Sequence, residues 1–459
     1  MKLEIKTLKD KVGEKVEIVG WISRFRKHSK VGFIDLYDRS SQVQIVILQD
    51  LLNIDFSIED LITVKGEVKE RTVQTQNPEQ ELGKIELVAD SIEITSKCKD
   101  LPFNINESTT LVDESLRLKY RYLDLRTDRM RKNIIARAKL AKSLRNYFDE
   151  QGFLEIETPS LTKGTPEGSR EYMVPSRLYA GEGYVLPQSP QQFKQLLMVA
   201  GIEKYYQLAR CFRDEDSRKD RQPEFTQFDV EMSFCDQQDI MNLGEAAVST
   251  VVRDVFPYLK MPDGKFPVYT YDHVVKTYNS DKPDLRKNKN DPNELAFCWV
   301  VDFPMFEIDE TENKISAVHH PFTKPNIKSI NDLDKPEKEL LKTKALAYDL
   351  VLNGYEVAGG SIRIHDINMQ HKVFEILGLP EKEVNERFGH ILEAFKFSPP
   401  PHGGFAIGFD RLVAVLCGET SIREVIAFPK TGEARDLLMG APSVMPENAL
   451  KILNLKKIK

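Results

Sequence analysis

Cysteine is scarce and unpaired in this 459-residue chain: five occur (Cys98, Cys211, Cys235, Cys298 and Cys417), and no two stand in a CxxC pair. That spacing excludes a zinc knuckle and a disulfide framework, and predicts small buried apolar side chains in a reducing compartment. Long apolar runs are missing as well. The longest, such as residues 196–202, fall far short of the ~20 residues that a membrane-spanning helix needs. The opening MKLEIKTLKD has no apolar stretch for a secretion signal and carries acids foreign to a transit peptide, so a cytoplasmic protein is expected. Charge imbalance is slight: 65 Lys and Arg against 71 Asp and Glu leave a net charge of −6. This speaks against a non-specific nucleic-acid binder, though not against one local RNA-reading patch. Fixed-period repeats and low-complexity tracts are absent. So are GxxxxGKS/T and a GxGxxG after a strand, so any ATP must bind on a different scaffold.

What is present is ordinary for a globular protein: 41% hydrophobic and 30% charged residues. Length alone predicts roughly three domains at about 150 residues each. Residues 16–21, 32–37, 43–48, 61–68 and 84–94 are short Val-, Ile- and aromatic-rich runs split by turn residues. Five such strands predict an OB-type barrel. The segment Arg24-Phe25-Arg26-Lys27-His28-Ser29-Lys30 falls between the first two. It reads as a solvated hairpin loop or, with Phe25 and Phe33 beside the cations, as a surface where rings stack on bases and cations hold phosphates.

A linker around residues 104–126 follows, and from Thr127 the pattern turns helical. Ile134, Ala138, Ala141, Leu144 and Phe148 mark one helical face, with Thr127 or Asp128 as cap and Gly152 as stop. Residues 153–159 read as a strand halted by Pro159. Two further strands, 206–213 and 225–234, are joined by the loop DEDSRKDRQPE. In the second, Phe228, Val230 and Met232 point one way and Gln227, Asp229 and Glu231 the other. Such alternation fits an exposed sheet face; it also suits a charged ligand, because buried charges need partners. Asp349 falls on a helical pattern over residues 345–352, where a solvated carboxylate is the plain reading. Residues 403–412 read as a glycine-bounded strand feeding a helix that stops at Gly418.

Taken together these segments resemble the class II aminoacyl-tRNA synthetases. The helix and strand ending at Pro159 look like that class's first motif, at its dimer interface. Residues 212–215 with 225–231 look like the second motif, and Gly408-Phe409-Asp410-Arg411 like the third. Residues 188–194, Thr165-Pro166-Glu167-Gly168, Asn353-Gly354-Tyr355-Glu356 and residues 361–365 are similar to bacterial-type aspartyl-tRNA synthetases. The resemblance covers nearly the whole chain. It implies an α+β architecture: an N-terminal OB-fold β-barrel (1–103) for the anticodon, a linker (104–126), and a class II catalytic domain (127–459), an antiparallel sheet flanked by helices. Two features depart from the family. The large inserted domain between the second and third motifs is reduced to a polar bridge, residues 287–294, and Ala358 stands where a glycine is usual, at small cost if its φ is negative.

The resemblance also implies residue roles. Arg213 would bridge the attacking carboxylate of L-aspartate and the α-phosphate of ATP, with Arg411 as second catalytic cation on adenine and γ-phosphate. Asp214, Glu215, Gln222, Glu356, Gly408, Phe409 and Asp410 complete the implied ATP site, and Asp349 with Glu356 would hold Mg²⁺. Glu167 and Gln191 would take the α-ammonium group. Lys194, held by Asp229, and Arg363 would take the side-chain carboxylate, with His319 and His320 closing over it. Asparagine, nearly isosteric but neutral, would leave two buried cations unpaired. His365 and His402 are expected to be structural. On the barrel, Arg26, His28, Phe33 and Gln44 would meet the anticodon. Histidine at position 28 is the mark of family members that charge both the aspartate and the asparagine tRNA. The expectation is a homodimeric aspartate–tRNA ligase of relaxed specificity, with strict specificity for the aspartate tRNA as the alternative. A non-catalytic RNA-binding paralogue and a tRNA-independent ligase remain as other readings.

Overall fold

The computed structural model describes residues 3–106, 109–164, 168–309 and 313–456. The chain divides into two compact units, Met1–Arg131 and Lys132–Lys459.

The first unit is built on a closed five-stranded barrel. Its strands are β1 (Lys15–Lys27), β2 (Val31–Tyr37), β3 (Gln42–Leu48), β4 (Leu61–Glu70) and β5 (Ile85–Ser96), in the order β1-β2-β3-β5-β4. Alternation sends Ile18, Ile22, Ile34, Leu36, Ile45, Ile47, Ile62, Val64 and Leu87 inside, where all are fully buried. The charged segment is not the expected hairpin loop. The β1–β2 ladder runs on to Arg26↔Phe33 and Lys27↔Gly32, so only residues 28–30 turn. Phe25 therefore faces the interior, against Phe56 with ring centroids 5.3 Å apart, and is not available for stacking. The expected linker is in part helical: α1 (Glu114–Lys119) and α2 (Arg121–Asp124) bring Arg117 and Arg121 onto the fully buried Asp124 at 3.3 and 2.5 Å.

The second unit takes in most of α3 (Asp128–Glu150) and an eight-stranded sheet. Its strands are β6 (Leu154–Glu155), β9 (Lys204–Phe212), β10 (Glu224–Ser233), β11 (Val268–Thr270), β12 (Phe297–Val301), β15 (Ala347–Leu352), β16 (Tyr355–Ile362) and β17 (His402–Gly408). The order is β11-β12-β15-β16-β17-β10-β9-β6, antiparallel throughout except at its two edges, where β11/β12 and β6/β9 run parallel. Two small hairpins stand apart, β7 (Met173–Pro175) with β8 (Gly183–Val185) and β13 (Phe306–Asp309) with β14 (Lys314–Ala317). Helices α4 (Gln191–Val199), α5 (Gln237–Val255), α6 (Tyr271–Tyr278), α7 (Glu337–Leu340), α8 (Ile367–Ile376), α9 (Glu381–Ala394) and α10 (Phe409–Leu416) complete the layers.

One sheet face is apolar. Tyr206, Phe228, Val230, Tyr348, Leu350, Phe405 and Ile407 pack with Leu140, Leu144 and Phe148 of α3 and Val248 and Val251 of α5. The seam of α3 is rotated from the expected one: Ala138 is exposed, while Asn133 is buried. Asn133 is tolerated there because its amide donates to Glu419 Oε1 (2.7 Å) and Glu424 O (3.1 Å), which an apolar periodicity cannot register. The strand expected over 153–159 is only two residues long. Asp349 lies on strand β15, not on a helix. Cys211 and Cys298 are buried; Cys98, Cys235 and Cys417, expected inside, are half-buried, and all five thiols are free.

The polar bridge over residues 287–294 is tied together by hydrogen bonds. Glu294 accepts the N–H groups of Lys287 (2.8 Å) and Asn288 (2.9 Å), and Lys260 Nζ meets Asp291 at 2.6 Å. Ala358, on β16, is buried and is absent from the residues of positive φ, so its methyl group costs nothing in backbone strain. Among the described residues, no helix is long and apolar enough to cross a membrane.

Candidate active site

The other sheet face carries the chemistry, in cross-strand rows. Residues directly opposite in an antiparallel ladder share a face. Register therefore sets Asp349, Gly359, Ala406, Asp229 and Gln207 in one row across β15, β16, β17, β10 and β9. The next row holds Ser361, Gly404, Glu231 and Tyr205. Small residues between the carboxylates leave a trough roughly 14 Å long, three strand spacings, from Asp349 to Asp229. Gly404 is required there: a Cβ on it would sit 2.2 Å from Glu231 Oε2 and 2.0 Å from Val230 O.

At the Asp229 end four formal charges interlock with almost no solvent exposure. Lys194 reaches in from α4, whose positions 191, 192, 194, 195 and 198 form its buried side. Its Nζ lies 2.7 Å from Asp229 Oδ1 and 3.3 Å from Glu231 Oε2. Arg363 grips Glu231 with two prongs, Nε–Oε1 at 3.0 Å and Nη2–Oε2 at 3.1 Å. Burial alone would raise Glu231, but Arg363 and Lys194 outweigh it and hold its carboxyl below the ordinary range. At Asp229 burial wins over Lys194, and the carboxyl is pushed up. The two cations thus already have carboxylate partners. This corrects the expectation that a neutral ligand would leave both unpaired; discrimination must rest on the donors left over.

Those donors are specific. Arg363 Nη1 donates to Ser361 Oγ at 2.6 Å and also lies 3.0 Å from His320 Nε2. The two ring nitrogens of His320 each face a donor, Phe322 N–H at Nδ1 (3.2 Å) and Arg363 Nη1 at Nε2 (3.0 Å), and a neutral imidazole accepts from only one of them. One donor is therefore left over, and a carboxylate oxygen would take it. Burial and the charge of Arg363 hold His320 well below its ordinary pKa, so it is neutral. His319, expected to contact the ligand, packs edge-on against Phe303 at 4.9 Å. Its Nδ1 is buried without a hydrogen-bond partner among the described residues, and burial lowers its pKa to about 4. Gln191 donates to Gln195 at 3.0 Å, and Gln195 meets His402, structural as expected. Glu167 lies outside the described residues.

At the other end, Asp349 and Glu356 approach over Gly359. A Cβ on Gly359 would stand 2.8 Å from Asp349 Oδ1 and 3.4 Å from Glu356 Oε1, so those oxygens are at most 6.2 Å apart (2.8 plus 3.4). Burial first, then the charges of Glu356 and Asp281, push the Asp349 carboxyl well above its ordinary range. Beside the row from Asp349 to Asp229, toward Gln227 and Gly408, opens a cavity of about 230 Å³, lined by Arg213, Glu215, Gln222, Phe225, Glu356 and Arg411 among others. Arg213 stacks over the Phe225 ring at 5.1 Å, and Arg411 Nη1 donates to Glu356 O at 2.6 Å. The Nε of each arginine is buried with no partner among the described residues, which suits an incoming anion.

The remaining expected nucleotide ligands divide. Glu215, held by Ser169 and by Arg221 (2.9 Å), and Gly408 line the cavity. Asp214 pairs backbone to backbone with Arg170 at 3.0 Å. The amide of Gln222 is engaged at both ends by the backbone of Lys430, at 2.8 and 3.0 Å. Asp410 accepts from Arg137 and, at 2.8 Å, from Thr226 N–H. Phe409 is a correction: its ring is turned into the core and does not line the cavity. Sequence reasoning missed Glu231, Ser361 and Arg137 as site residues. Alternation had placed Glu231 on the polar face, which was the available signal.

On the barrel, the four expected RNA contacts cluster. Arg26 lies over the Phe33 ring at 5.9 Å and reaches Asp35 (3.2 Å) and Gln44 (3.4 Å); His28 meets Phe33 edge-on at 6.0 Å.

Comparison with known proteins matches residues 113–432 to the family of tRNA synthetases class II (D, K and N) and residues 16–95 to the OB-fold nucleic acid binding domain. The aspartate–tRNA(Asp/Asn) ligase of Thermotoga maritima is 40% identical over 574 aligned positions, covering 97% of each chain. The aspartate–tRNA ligase of Staphylococcus carnosus is 38% identical over 577, again covering 97% of each. With 459 residues here, at least 115 positions of the first alignment (574 less 459) have no counterpart in this chain, so a large insertion is missing. Among solved structures, asparaginyl-tRNA synthetase from Pyrococcus horikoshii, complexed with asparaginyl-adenylate, matches at a TM-score of 0.74 and 21% identity, covering 94% of this chain and 98% of that one. At that identity the likeness is one of fold.

Proposed function

Since the chain belongs to the class II tRNA synthetases of the D, K and N group, we propose that it is an aspartate–tRNA ligase that charges both the aspartate and the asparagine tRNA. The observation that carries the amino acid is the neighbouring pair of cations, Lys194 and Arg363, with Arg363 Nη1 3.0 Å from His320 Nε2 and donors left over for a ligand. The side-chain carboxylate of aspartate would accept from these donors. An asparagine amide would turn a further donor, or one oxygen only, toward them. Gln191, with Glu167, would hold the α-ammonium group.

The α-carboxylate, with a pKa near ~3.5, is already ionised at pH 7 and needs no base. Its oxygen attacks the α-phosphorus of ATP, the bond to the β-phosphate breaks, and pyrophosphate leaves. The terminal ribose hydroxyl of the tRNA then attacks the carbonyl carbon, and AMP departs. Arg213 and Arg411 would neutralise charge that gathers on the phosphates. Asp349 and Glu356 offer the hard oxygen donors that Mg²⁺ favours and would hold it beside the triphosphate. The ion would supply further neutralisation of the triphosphate. In the barrel cluster, Phe33 would stack on an anticodon base while Arg26, His28 and Gln44 contact its neighbourhood. Exposed Ile135, Leu154 and Leu161, on α3 and beside edge strand β6, support a second copy of the chain as occupant of that edge. A reducing, cytoplasmic setting suits the free thiols.

The test is aspartate-dependent ATP–pyrophosphate exchange, then aspartylation of both tRNA transcripts. Exchange with aspartate and none with asparagine is expected, followed by charging of both tRNAs at comparable efficiency. Lack of exchange would overturn the reading. Charging of the aspartate tRNA alone would confine it to the specific form.

A further inference from the structure

Arg137 projects from α3 toward elements on which the nucleotide half of the site depends. Its Nη1 bonds the Asp410 carboxylate and lies 3.4 Å from Val425 O. Its Nη2 lies 3.3 Å from Thr226 Oγ1, and its guanidinium sits over the Phe409 ring at 4.7 Å. The second Asp410 oxygen accepts Thr226 N–H at 2.8 Å. One side chain therefore ties the turn from β17 into α10 to strand β10. The planar fork matters: a lysine can place its charge at Asp410 but cannot also lie flat on the ring and bond Thr226.

The next residue along that turn is Arg411. Among the described residues its head group has as close partners Glu356 O at 2.6 Å and Asp220 Oδ2 at 3.4 Å, besides Glu356 Oε2 at 3.9 Å. The two carboxylate contacts are with residues that line the same cavity and are of the kind a bound anion would rearrange, whereas Glu356 O belongs to strand β16 and stays in place. The aim of Arg411 is set by that carbonyl and by the backbone that carries it. That backbone is fixed by buried Phe409 and buried Asp410, and both are held by Arg137.

We propose that Arg137 is a positioning residue for nucleotide binding: it locks the Phe409–Asp410 turn to Thr226 and so sets where Arg411 enters the cavity. The inference rests on the reading above that Arg411 meets the triphosphate. It makes α3 part of the nucleotide site, although the helix contributes no group to the cavity lining. The amino-acid end shares no contact with Arg137, because Lys194, Asp229, Glu231 and Arg363 bond among themselves.

The experiment is pyrophosphate exchange on the full chain, with ATP and aspartate varied separately. Wild-type activity is the control for the functional reading. Its absence would remove that reading and the inference with it. With active wild type, R137A is expected to raise the KM for ATP by ~10–100-fold, the usual cost of an ångström-scale misplacement. The KM for aspartate should stay within about twofold. R137K should recover part of the loss, and D410N should imitate R137A, with the double variant no worse than either alone. Thermal melting identifies a variant that fails to fold; R137K then carries the same test. An unchanged KM for ATP, or a parallel rise in both KM values, would overturn the proposal.

Discussion

Two pairs of carboxylates share one sheet face, and they differ in what stands beside them. Asp229 and Glu231 meet Lys194 and Arg363 within 3.3 Å, and the cluster is formally neutral before any ligand arrives. Asp349 and Glu356 face each other over Gly359, and Asp349 has no cation within bonding distance among the described residues. In the first pair each charge has an opposite charge within 3.3 Å, although burial still pushes the Asp229 carboxyl up. Its specificity lies in the few donors aimed outward. In the second, burial first and then the like charges of Glu356 and Asp281 raise the Asp349 carboxyl, with no bonded cation to offset them. Pairing inside the protein builds a selective pocket; withheld pairing builds a place for an ion. The same residue type serves opposite ends of a reaction according to the company it keeps.

Removing a cation from the first pair gives the largest effect. Arg363→Leu strands Glu231 and Ser361, a loss of about 3–5 kcal/mol for a broken buried pair. Aspartate-dependent exchange should fall ~10²–10⁴-fold at 1.36 kcal/mol per decade, with a marked drop in melting temperature. Asp349→Asn should reduce exchange at least ~100-fold, yet stabilise the ligand-free protein. The sign follows from linkage: a carboxyl whose folded pKa is raised favours the protonated fold. It costs stability once pH rises above the unfolded value of 3.8. A rise in melting temperature at pH 7.5 is expected, and it should vanish as pH falls toward 3.8.

The pH response tests the first pocket by another route. His319, lowered to about 4, stays neutral in the fold while the unfolded chain takes up a proton near 6.5. Stability is complete above 6.5 and is lost as pH falls toward 4. His319→Gln should flatten that part of the curve in melting scans from pH 7.5 to 4.5. The smallest effect lies on the barrel. His28→Leu should leave melting and exchange unchanged and reduce charging of the asparagine tRNA relative to the aspartate tRNA by ~10-fold, since each specific contact is worth about 1–3 kcal/mol.

Much of this was legible from alternation and spacing. Period two separated Phe228 and Val230 from Asp229 and Glu231, and the barrel's five strands stood out between turn residues. What pattern could not show was which polar face is covered. Glu231 looks the same in sequence whether it faces solvent or Arg363. Asp349 was misread because residues 345–352 form a short apolar run, whose period does not separate a buried strand from a helix. Arg137 and Asn133 were invisible for a related reason: a hydrogen-bonded polar residue in a helical seam interrupts the apolar rhythm without interrupting the packing. Phe25 and Phe33 looked equivalent beside the same cations, and only the strand register sent one inside.

The most direct measurement sets Asp349→Asn against Glu231→Gln in parallel thermal melts, without ligand, at pH 7.5. Opposite signs are predicted. The first variant should melt above wild type, because a carboxylate raised by burial and by its like-charged neighbours has gone. The second should melt below it, because Arg363 has lost its buried partner, while Lys194 keeps only Asp229. Shifts of the same sign in both variants would contradict the account, since the two pairs would then not differ in how their charge is held.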